Sequence, residues 1–534
     1  MAMYSRTAVA NLLCASTASL ARTPLAAPRL LLPAVRSLHA SAATMAPRKR
    51  KVFTYENLNP HVKQAEYAVR GELAIRAEAL RKTLDSDQAS TLSFDKIVNC
   101  NIGNPQQLGQ QPITFLRQVS SLLEYPALLD DRNRDAALKL FPADAIDRAK
   151  TMSKAIGSLG AYSHSMGIPA IRNSVAKFME QRDGFPANPD HIFLTAGASP
   201  GVQTILQALI AHDQVGVLVP IPQYPLYTAA ISLCNGRAVP YYLDEEGAWT
   251  MRADEVRRAI AEARNGGTDV RALCVINPGN PTGNVLSKAD MEAIIKLCHK
   301  EGLLLMADEV YQTNVYYPKE QPWYSFKHVL CSMGGDVAKE VELVSFHSIS
   351  KGMIGECGRR GGYFEVVNVD PRTIEELYKI ASISLCPNVQ GQVAVDIMVN
   401  PPQAGSESYD LYNTEMTHLY ESLKRRAEKV AAALNQLEGV QCNRADGAMY
   451  LFPKITLPQR AIEAAEEAGK EPDAFYTLAL LDATGVCTVP GSGFLQRPGT
   501  FHFRSTFLPP EDELDGFIAR LSKFHKEFFD KYRG

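Results

Sequence analysis

Short apolar runs alternate with helical patterns through the middle of the chain, between about residues 170 and 385. Several runs are rich in β-branched and aliphatic residues and stop abruptly at polar, Gly or Pro positions, which predicts buried strands followed by turns. Five such strand ends lie within residues 191–199, 215–227, 271–283, 302–311 and 341–364. Strands that alternate with helices favour a mostly parallel sheet covered by helices.

The pattern changes after Pro387. It predicts a long amphipathic helix around residues 408–436, a polar helical insert at 458–472 and several short strands, one of them FHFRSTF at 501–507. In that strand Arg504 lies on the face opposite to the phenylalanines. Helices and short strands without regular alternation favour a smaller α+β domain.

The N-terminal part of the chain is predicted to complete this smaller domain. Residues 59–84 predict one helix, with Asn59 at its N-cap and Pro60 at its first position, and residues 95–102 predict a strand. The predicted segments are 1–44, a disordered targeting segment; 45–140, an N-terminal arm with part of the smaller domain; 141–385, a large α/β domain; and 386–534, the rest of the smaller domain.

Composition agrees with a globular protein of two or three domains. The 534 residues are 46% hydrophobic and 21% charged, which is ordinary for soluble domains. No apolar run reaches the roughly 18–20 residues of a membrane span. The basic cluster at 48–51 resembles a nuclear or nucleic-acid patch, but we interpret it as solvated because the chain beyond it is acidic. We expect neither a membrane nor a nucleic acid as a partner.

The first 55 residues differ from the rest in charge. They contain eight Lys or Arg and no acidic residue, in a context rich in Ala, Ser and Leu. This composition is typical of a mitochondrial transit peptide, with cleavage expected after Arg36; the alternative is a disordered basic arm. We therefore expect the mitochondrial matrix, and a start at Met45 would give an additional cytosolic form.

Cysteine and histidine usage points to neither disulfides nor a metal. The ten cysteines include no CxxC pair, which favours free thiols in a reducing compartment, and the eleven histidines include no HExxH motif. We expect no metal site.

One strand end carries a lysine in an unusual setting. The strand predicted at 341–347 leads into a Gly-rich turn that contains Lys351. A desolvated lysine has a lowered pKa and can form a Schiff base with an aldehyde. The same turn carries hydroxyl and guanidinium groups that suit a phosphate ester, those of Ser348, Ser350, Arg359 and Arg360. The alternative is an exposed loop lysine.

Two further strand ends suit a phosphate and a flat ring. Ser199 is predicted as the N-cap of a helix with Pro200 at its first position, and free backbone N–H groups there would make Ala198 and Ser199 an anion site. Ordinary capping is the alternative. Tyr224 lies between two prolines at another strand end and could stack on a ring; a core tyrosine is the alternative.

The remaining strand ends carry amide, carboxyl and phenol groups. Asn280 lies in a turn stiffened by Pro and Gly, and Asp308 follows five apolar residues, with Tyr311 three positions later. A carboxylate there needs a cationic partner. Because ligands bind at the carboxyl ends of strands in open α/β sheets, we expect all five strand ends to meet. Together they match pyridoxal 5′-phosphate.

Sequence motifs carry a resemblance to a known family. GAS at 197–199, PQYPLY at 222–227, NPGNPTG at 277–283, ADEVY at 307–311 and SISK at 348–351 resemble the fold-type I, class I pyridoxal-phosphate-dependent aminotransferases. Blocks at 100–119, 345–365 and 501–509 are similar to the alanine aminotransferases within that family. The resemblance extends from about residue 55 to the C-terminus. It departs from the family at Arg359, where an aromatic residue is usual, so Arg360 is preferred for the phosphate.

The resemblance implies a fold and a set of roles. The large domain would hold a mostly parallel seven-stranded sheet covered by helices, and residues 141–385 would bind the cofactor. Lys351 would bind the cofactor covalently and act as the catalytic base and acid, while Asp308 pairs with the pyridine nitrogen. Asn280 and Tyr311 would bind the phenolic oxygen, and Tyr224 would stack on the ring. The phosphate would bind Ala198, Ser199, Ser348, Ser350 and Arg360, with Tyr162 from the neighbouring subunit.

Substrate contacts and assembly follow from the same resemblance. Arg504 would clamp the substrate α-carboxylate, with Asn280, Ile102 and Gly103 beside it. The implied reaction converts L-alanine and 2-oxoglutarate to pyruvate and L-glutamate, in a homodimer with shared active sites. Residues 317–341 form an extension that would cover a neighbouring subunit or nothing.

Other functions remain open. An aminotransferase for aromatic or kynurenine substrates, or a lyase of the same fold, would use the same cofactor motifs. A non-catalytic regulator would need a nucleic-acid-binding module, and residues 1–60 show no helix-turn-helix pattern. A nicotinamide dehydrogenase would need a strand that opens into GxGxxG, which the chain lacks.

Overall fold

The computed structural model of the chain describes residues 52–67 and 71–533. The predicted targeting segment 1–44, Met45 and the basic cluster 48–51 lie outside the described residues. From Leu58 onward the chain forms one compact unit, so the domain boundaries near 140 and 385 stay predictions. The nine cysteines in the described ranges are free.

The N-terminal region contains two helices where one was predicted. They are α1 (Pro60–Gln64) and α2 (Glu72–Leu84). Asn59 is the N-cap of α1, as predicted, and its side chain accepts a hydrogen bond from the backbone of His61 at 2.9 Å. The single-helix prediction is wrong because the chain becomes extended at Ala65 and again at Gly71, which starts α2. Glycine is a poor residue for a helix interior.

The predicted strand at 95–102 is reduced to β1 (Val98–Asn99), which pairs in parallel with Val486–Cys487. Four helices follow it before the central sheet: α3 (Thr114–Glu124), α4 (Arg134–Ala137), α5 (Ala143–Ile156) and α6 (Pro169–Asp183).

A seven-stranded sheet forms the centre of the molecule. Its strands are β2 (Ile192–Thr195), β3 (Val215–Ile221), β4 (Arg237–Tyr242), β5 (Asp269–Ile276), β6 (Leu304–Asp308), β7 (Leu343–Ser348) and β8 (Gly362–Val367). Their order is β2-β8-β7-β6-β5-β3-β4. Within this sheet β8 runs antiparallel to β2 and β7, and the other neighbouring pairs are parallel. The mostly parallel seven-stranded sheet is therefore confirmed.

Helices cover both faces of this sheet. They are α7 (Ala198–Leu209), α8 (Leu226–Leu233), α9 (Ala253–Asn265), α10 (Lys288–Glu301), α11 (Phe326–Met333), α12 (Val337–Glu340), α13 (Pro371–Ile383) and α14 (Val389–Val399). Every residue of β3 and β7 is buried, as expected for strands covered on both sides. Val217 and Leu218, adjacent in β3, belong to separate hydrophobic cores on opposite faces.

The C-terminal region adds four helices and short strands. The helices are α15 (Tyr409–Leu434), α16 (Gln459–Glu467), α17 (Pro472–Thr484) and α18 (Glu511–Tyr532). The strands are β9 (Val440–Gln441), β10 (Tyr450–Leu451), β11 (Lys454–Ile455), β12 (Val486–Cys487), β13 (Val489–Pro490) and β14 (Phe503–Thr506). The long helix predicted around 408–436 is confirmed as α15. β14 is the central strand of an antiparallel sheet with β10 and β13.

The extension at 317–341 packs on its own chain. It contains α11 and α12, and Phe326, Val329 and Leu330 are fully buried in a core shared with the central sheet. The indole of Trp323 donates to the carbonyl of Asn277 at 3.1 Å. Among the described residues, no helix has both the length and the apolar character to cross a membrane.

Candidate active site

The five predicted strand ends meet around a cavity of about 620 Å³. It lies at the carboxyl edge of the parallel strands, where open α/β sheets bind ligands. Thirteen residues singled out from the sequence line it: Ile102, Gly103, Ala198, Ser199, Tyr224, Asn280, Asp308, Tyr311, Ser348, Ser350, Lys351, Arg360 and Arg504. Segments that are hundreds of residues apart in sequence therefore share one site.

Lys351 enters the cavity from the turn after β7. Its Nζ donates a hydrogen bond to the carbonyl oxygen of Gly103 at 2.7 Å and lies 6.0 Å from the ring centre of Tyr311. Because Gly103 has no side chain, the loop approaches the amine closely: a Cβ there would lie 2.9 Å from Nζ. The backbone of Gly103 thus holds the Lys351 amine at the wall of the cavity.

Asp308 ends β6 as a buried carboxyl group. The hydroxyl of Tyr227 donates to its Oδ2 at 2.8 Å, and the backbone N–H of Val310 approaches Oδ1 at 3.4 Å. Burial raises the pKa of Asp308 to about 6, although these two donors and Lys351 oppose the shift. A buried carboxyl group that faces a cavity favours a ligand with a positive charge or an N–H group at that point.

Arg504 is a buried guanidinium group without a carboxylate partner in the described part of the chain. Its side chain donates to Asn280 Oδ1 at 3.0 Å and to the carbonyl of Asn101, while Nε has no hydrogen-bond partner there. The ring centres of Tyr450 and Phe494 lie 4.2 and 4.6 Å from its Cζ. A buried cation in this state requires an anion, and a carboxylate matches its planar donors.

The opposite part of the cavity suits a second anion. α7 begins at Ala198 after Gly197, whose φ is 102°, so the prediction of Ser199 as N-cap and Pro200 as first helical residue is wrong. The positive φ of Gly197 turns the chain from β2 into the helix earlier than the Ser-Pro pair suggests. Ala198 and Ser199 still line the cavity at the N-terminus of the helix, where backbone N–H groups lack helical partners.

Arg360 lines the same cavity, and Arg359 does not. A Cβ on Gly197 would lie 2.7 Å from Arg360 Nη2, so the guanidinium packs directly on the helix start. Nη1 donates to the carbonyl of Cys357 at 3.0 Å. Arg359 instead forms an ion pair with Glu356 at 3.3 Å. The preference for Arg360 over Arg359 as the cavity arginine agrees with this geometry.

The chain matches known proteins over most of its length. The family model for aminotransferases of class I and II matches residues 132–521 of the chain. The chain belongs to this family.

Individual relatives of this aminotransferase carry more than one name. The chain is 52% identical to a probable mitochondrial alanine aminotransferase of Dictyostelium discoideum, over 91% of each protein. It is 51% identical to glutamate–glyoxylate aminotransferase 2 of Arabidopsis thaliana, over 90% of this chain and 98% of the relative. The solved alanine aminotransferase of Pyrococcus furiosus superposes with a TM-score of 0.68 at 26% identity, covering 88% of this chain and 100% of the other. The predicted fold class is confirmed.

Tyr162 is the one predicted site residue that does not line the aminotransferase cavity. Its side chain is 79% exposed. The role foreseen for it, in the site of a neighbouring subunit, stays a prediction.

Sequence reasoning missed several cavity residues. Tyr67 lines the cavity and its hydroxyl lies 2.8 Å from that of Tyr224; it follows α1 in a segment predicted to be helical. Tyr450 lies in an apolar stretch that reads as a core strand. Tyr227 does not line the cavity but donates a hydrogen bond to Asp308, and its only signal was its spacing of about one helical turn from Tyr224. These contacts join distant segments, and local pattern carries no information on such contacts.

Proposed function

We propose that this aminotransferase binds pyridoxal 5′-phosphate through Lys351 and transfers the amino group of L-alanine to 2-oxoglutarate, which yields pyruvate and L-glutamate. One observation carries the proposal: a single cavity collects an amine, a buried carboxyl group and a buried guanidinium group, those of Lys351, Asp308 and Arg504. An aldehyde, a protonated ring nitrogen and a substrate carboxylate need these three partners.

The cavity residues fit this cofactor. Arg360, packed on Gly197, provides a cation for the phosphate, and the start of α7 provides backbone N–H groups. The hydroxyls of Ser348 and Ser350 line the same end. When bound, pyridoxal phosphate supplies an electron sink for the electrons left on the substrate after loss of the Cα proton.

The chain's own side chains perform the remaining work. Lys351 would be the general base that takes the proton from the substrate Cα and the general acid that gives it to the former aldehyde carbon of the cofactor. The Asp308 carboxylate would keep a proton on the pyridine nitrogen. Asn280 and Tyr311 would bind the phenolic oxygen, and Tyr224 would lie against the ring.

The substrate carboxylate binds Arg504. Asn280 Oδ1 already accepts a hydrogen bond from this guanidinium, which leaves the Asn280 amide N–H₂ to donate to the substrate. The loop with Ile102 and Gly103 brings backbone to within hydrogen-bond distance of the Lys351 amine. Arg504 thereby binds the carboxylate attached to the substrate Cα, and the Lys351 amine lies close enough to take the proton from that carbon.

Alanine as the amino donor is supported by the D. discoideum relative and by the P. furiosus structure. The A. thaliana relative, of almost equal identity, favours a second candidate, transfer from glutamate to glyoxylate. The two reactions differ in the amino donor, alanine or glutamate, and in the acceptor keto acid, 2-oxoglutarate or glyoxylate, and the cofactor contacts do not separate them.

The absorbance spectrum of the purified protein with bound pyridoxal phosphate tests the proposal. We expect L-alanine, added without a keto acid, to remove the visible band of the lysine-bound cofactor and to release pyruvate in an amount equal to the sites. The keto acid that accepts the amino group should then restore the visible band. Faster recovery of the band with 2-oxoglutarate than with glyoxylate supports the alanine assignment. A band that responds to glutamate or an aromatic amino acid but not to alanine would contradict it.

We also propose a mitochondrial homodimer. The basic, acid-free leader supports import into the matrix, and relatives from D. discoideum and A. thaliana are named mitochondrial. Exposed Tyr162 supports an active site shared with a second copy. Mass measurement in solution and N-terminal sequencing of the native protein test these two points.

A further inference from the structure

Tyr450 is a buried cavity residue with no role in the function proposed above. It lies in β10, beside β14 with Arg504, and its side chain is 2% exposed. The Tyr311 hydroxyl donates to the Tyr450 hydroxyl at 3.2 Å. The ring face of Tyr450 covers the guanidinium of Arg504, whose Cζ is 4.2 Å from the ring centre.

The Lys351 amine lies beside the same hydroxyl. A Cβ added to Gly103 would lie 2.9 Å from Lys351 Nζ and closer still to the Tyr450 hydroxyl oxygen, so the two groups border one point of the cavity. The amine and the phenol therefore border the same point beside Gly103. Tyr450 thus lies beside the base and contacts both Arg504, which faces the substrate carboxylate, and Tyr311, which faces the phenolic oxygen.

The surroundings of the Tyr450 hydroxyl are donors and cations. The titratable or charged groups that face it are Lys351, Arg504, Tyr311 and Tyr224. Burial favours the neutral phenol, but the charges of Lys351 and Arg504 outweigh it and lower the pKa of Tyr450. The hydroxyl oxygen is thus a favourable acceptor for an N–H group of the neighbouring Lys351 side chain.

A lysine base needs such a restraint. Its amine ends a flexible four-carbon side chain, and it must stay aligned with the substrate Cα while it gains and loses a proton. The Gly103 carbonyl accepts one Nζ–H bond at 2.7 Å. The Tyr450 hydroxyl adds a second fixed point on the side where Arg504 binds the substrate.

We infer that Tyr450 is a positioning residue for Lys351, whose amine it holds between the Gly103 carbonyl and the substrate while the amine carries the proton. This inference rests on the proposed function, in which Lys351 is the base. It predicts an effect on the rate of proton transfer and little effect on alanine binding.

The first test uses single-turnover kinetics of the Tyr450→Phe variant with bound pyridoxal phosphate. We expect the alanine-dependent loss of the visible band to slow by about 10- to 100-fold, with the apparent alanine dissociation constant changed less than about twofold, and the pH profile of the rate to shift. The matched control is Tyr316→Phe: that hydroxyl is also buried, but it donates to the Ala448 carbonyl at 2.6 Å, outside the cavity. The control is expected to keep the wild-type pH profile.

The second test needs no cofactor. Ultraviolet titration of the cofactor-free protein should show one tyrosine that ionises before the rest of the 21. We expect this step to disappear in Tyr450→Phe and to move to higher pH in Lys351→Ala, because removal of the cation removes a stabilising charge. This second variant keeps the inference testable if Tyr450→Phe does not fold.

Two results would overturn the inference. The first is a Tyr450→Phe enzyme with the wild-type rate and pH profile. The second is a tyrosine titration that is identical in wild type and Lys351→Ala. A wild-type protein that never forms the lysine-bound band overturns the proposed function as well, which separates that failure from a failure of Tyr450 alone.

Discussion

Asp308 is buried at the end of β6, and its hydrogen bonds come from the Tyr227 hydroxyl and a backbone N–H. Neither donor carries a full charge, so burial dominates and raises the pKa to about 6 from the ordinary 3.8. The folded protein without cofactor thus holds the Asp308 proton more tightly than the unfolded chain does. A bound ring with a protonated nitrogen would supply the missing partner.

Asp308→Asn should stabilise the cofactor-free protein at pH 8. Above pH 6 the wild-type carboxylate is ionised and unpaired, which costs at most about 3 kcal/mol of unfolding free energy. The cost disappears as pH falls through 6 towards 4, because the group is then protonated. Denaturant unfolding at pH 8 and pH 4 measures the difference, and exposed Asp135→Asn is the control. A difference that does not change with pH would contradict the assignment.

At the scale of elements, the start of α7 links the central sheet to the anion site. Gly197 leaves β2 with a positive φ, and Arg360 packs on it. The N-terminus of α7 and the guanidinium group of Arg360 together form the end of the cavity that suits the phosphate. Any side chain at position 197 would disturb both.

Gly197→Ala should weaken pyridoxal phosphate binding at least about tenfold. The new methyl group would lie 2.7 Å from Arg360 Nη2, and the alanine backbone would have to adopt a positive φ that alanine avoids. Titration of the cofactor-free protein, followed by absorbance, measures the affinity. Gly157→Ala is a matched control, because its φ is 77° but its Cβ would meet open space. Equal affinity in both variants would argue against the phosphate site.

The strand ends were predictable because each chemical group directly follows an apolar run. Asp308 after β6 and Lys351 after β7 are examples, and parallel topology then places them at one edge. The break between α1 and α2 was missed because residues 65–71 have no Pro and only a weak turn signal. Tyr450 was missed because its contact with Tyr311 spans 139 residues; packing decides such contacts.

At the scale of the whole molecule, Tyr162 is the residue that tests whether each active site is formed by one chain or shared between two. It is exposed and lies outside the cavity of its own chain. If a second copy receives it, two defective chains can form one intact site.

Mixed dimers of Lys351→Ala and Tyr162→Ala chains should recover activity at limiting pyridoxal phosphate. In the mixed dimer, the Tyr162→Ala chain keeps Lys351 and receives an intact Tyr162 from its partner. Each variant alone should be inactive or weakly active under these conditions. Co-refolding at equal ratio and an alanine assay measure the recovery, with wild type mixed with Lys351→Ala as the reference. A mixture no more active than the sum of its parts would contradict a role of Tyr162 in the site of a second copy.

The most direct test of the central claim is the location of the covalently bound cofactor. Reduction of the protein with borohydride after addition of pyridoxal phosphate, followed by peptide mass mapping, should place one pyridoxyl group per chain on Lys351. The Lys351→Ala variant should carry none at this peptide while keeping the fold, as seen by circular dichroism. A pyridoxyl group on another lysine, or none at all in the wild type, would contradict the proposed site and the reaction assigned to it.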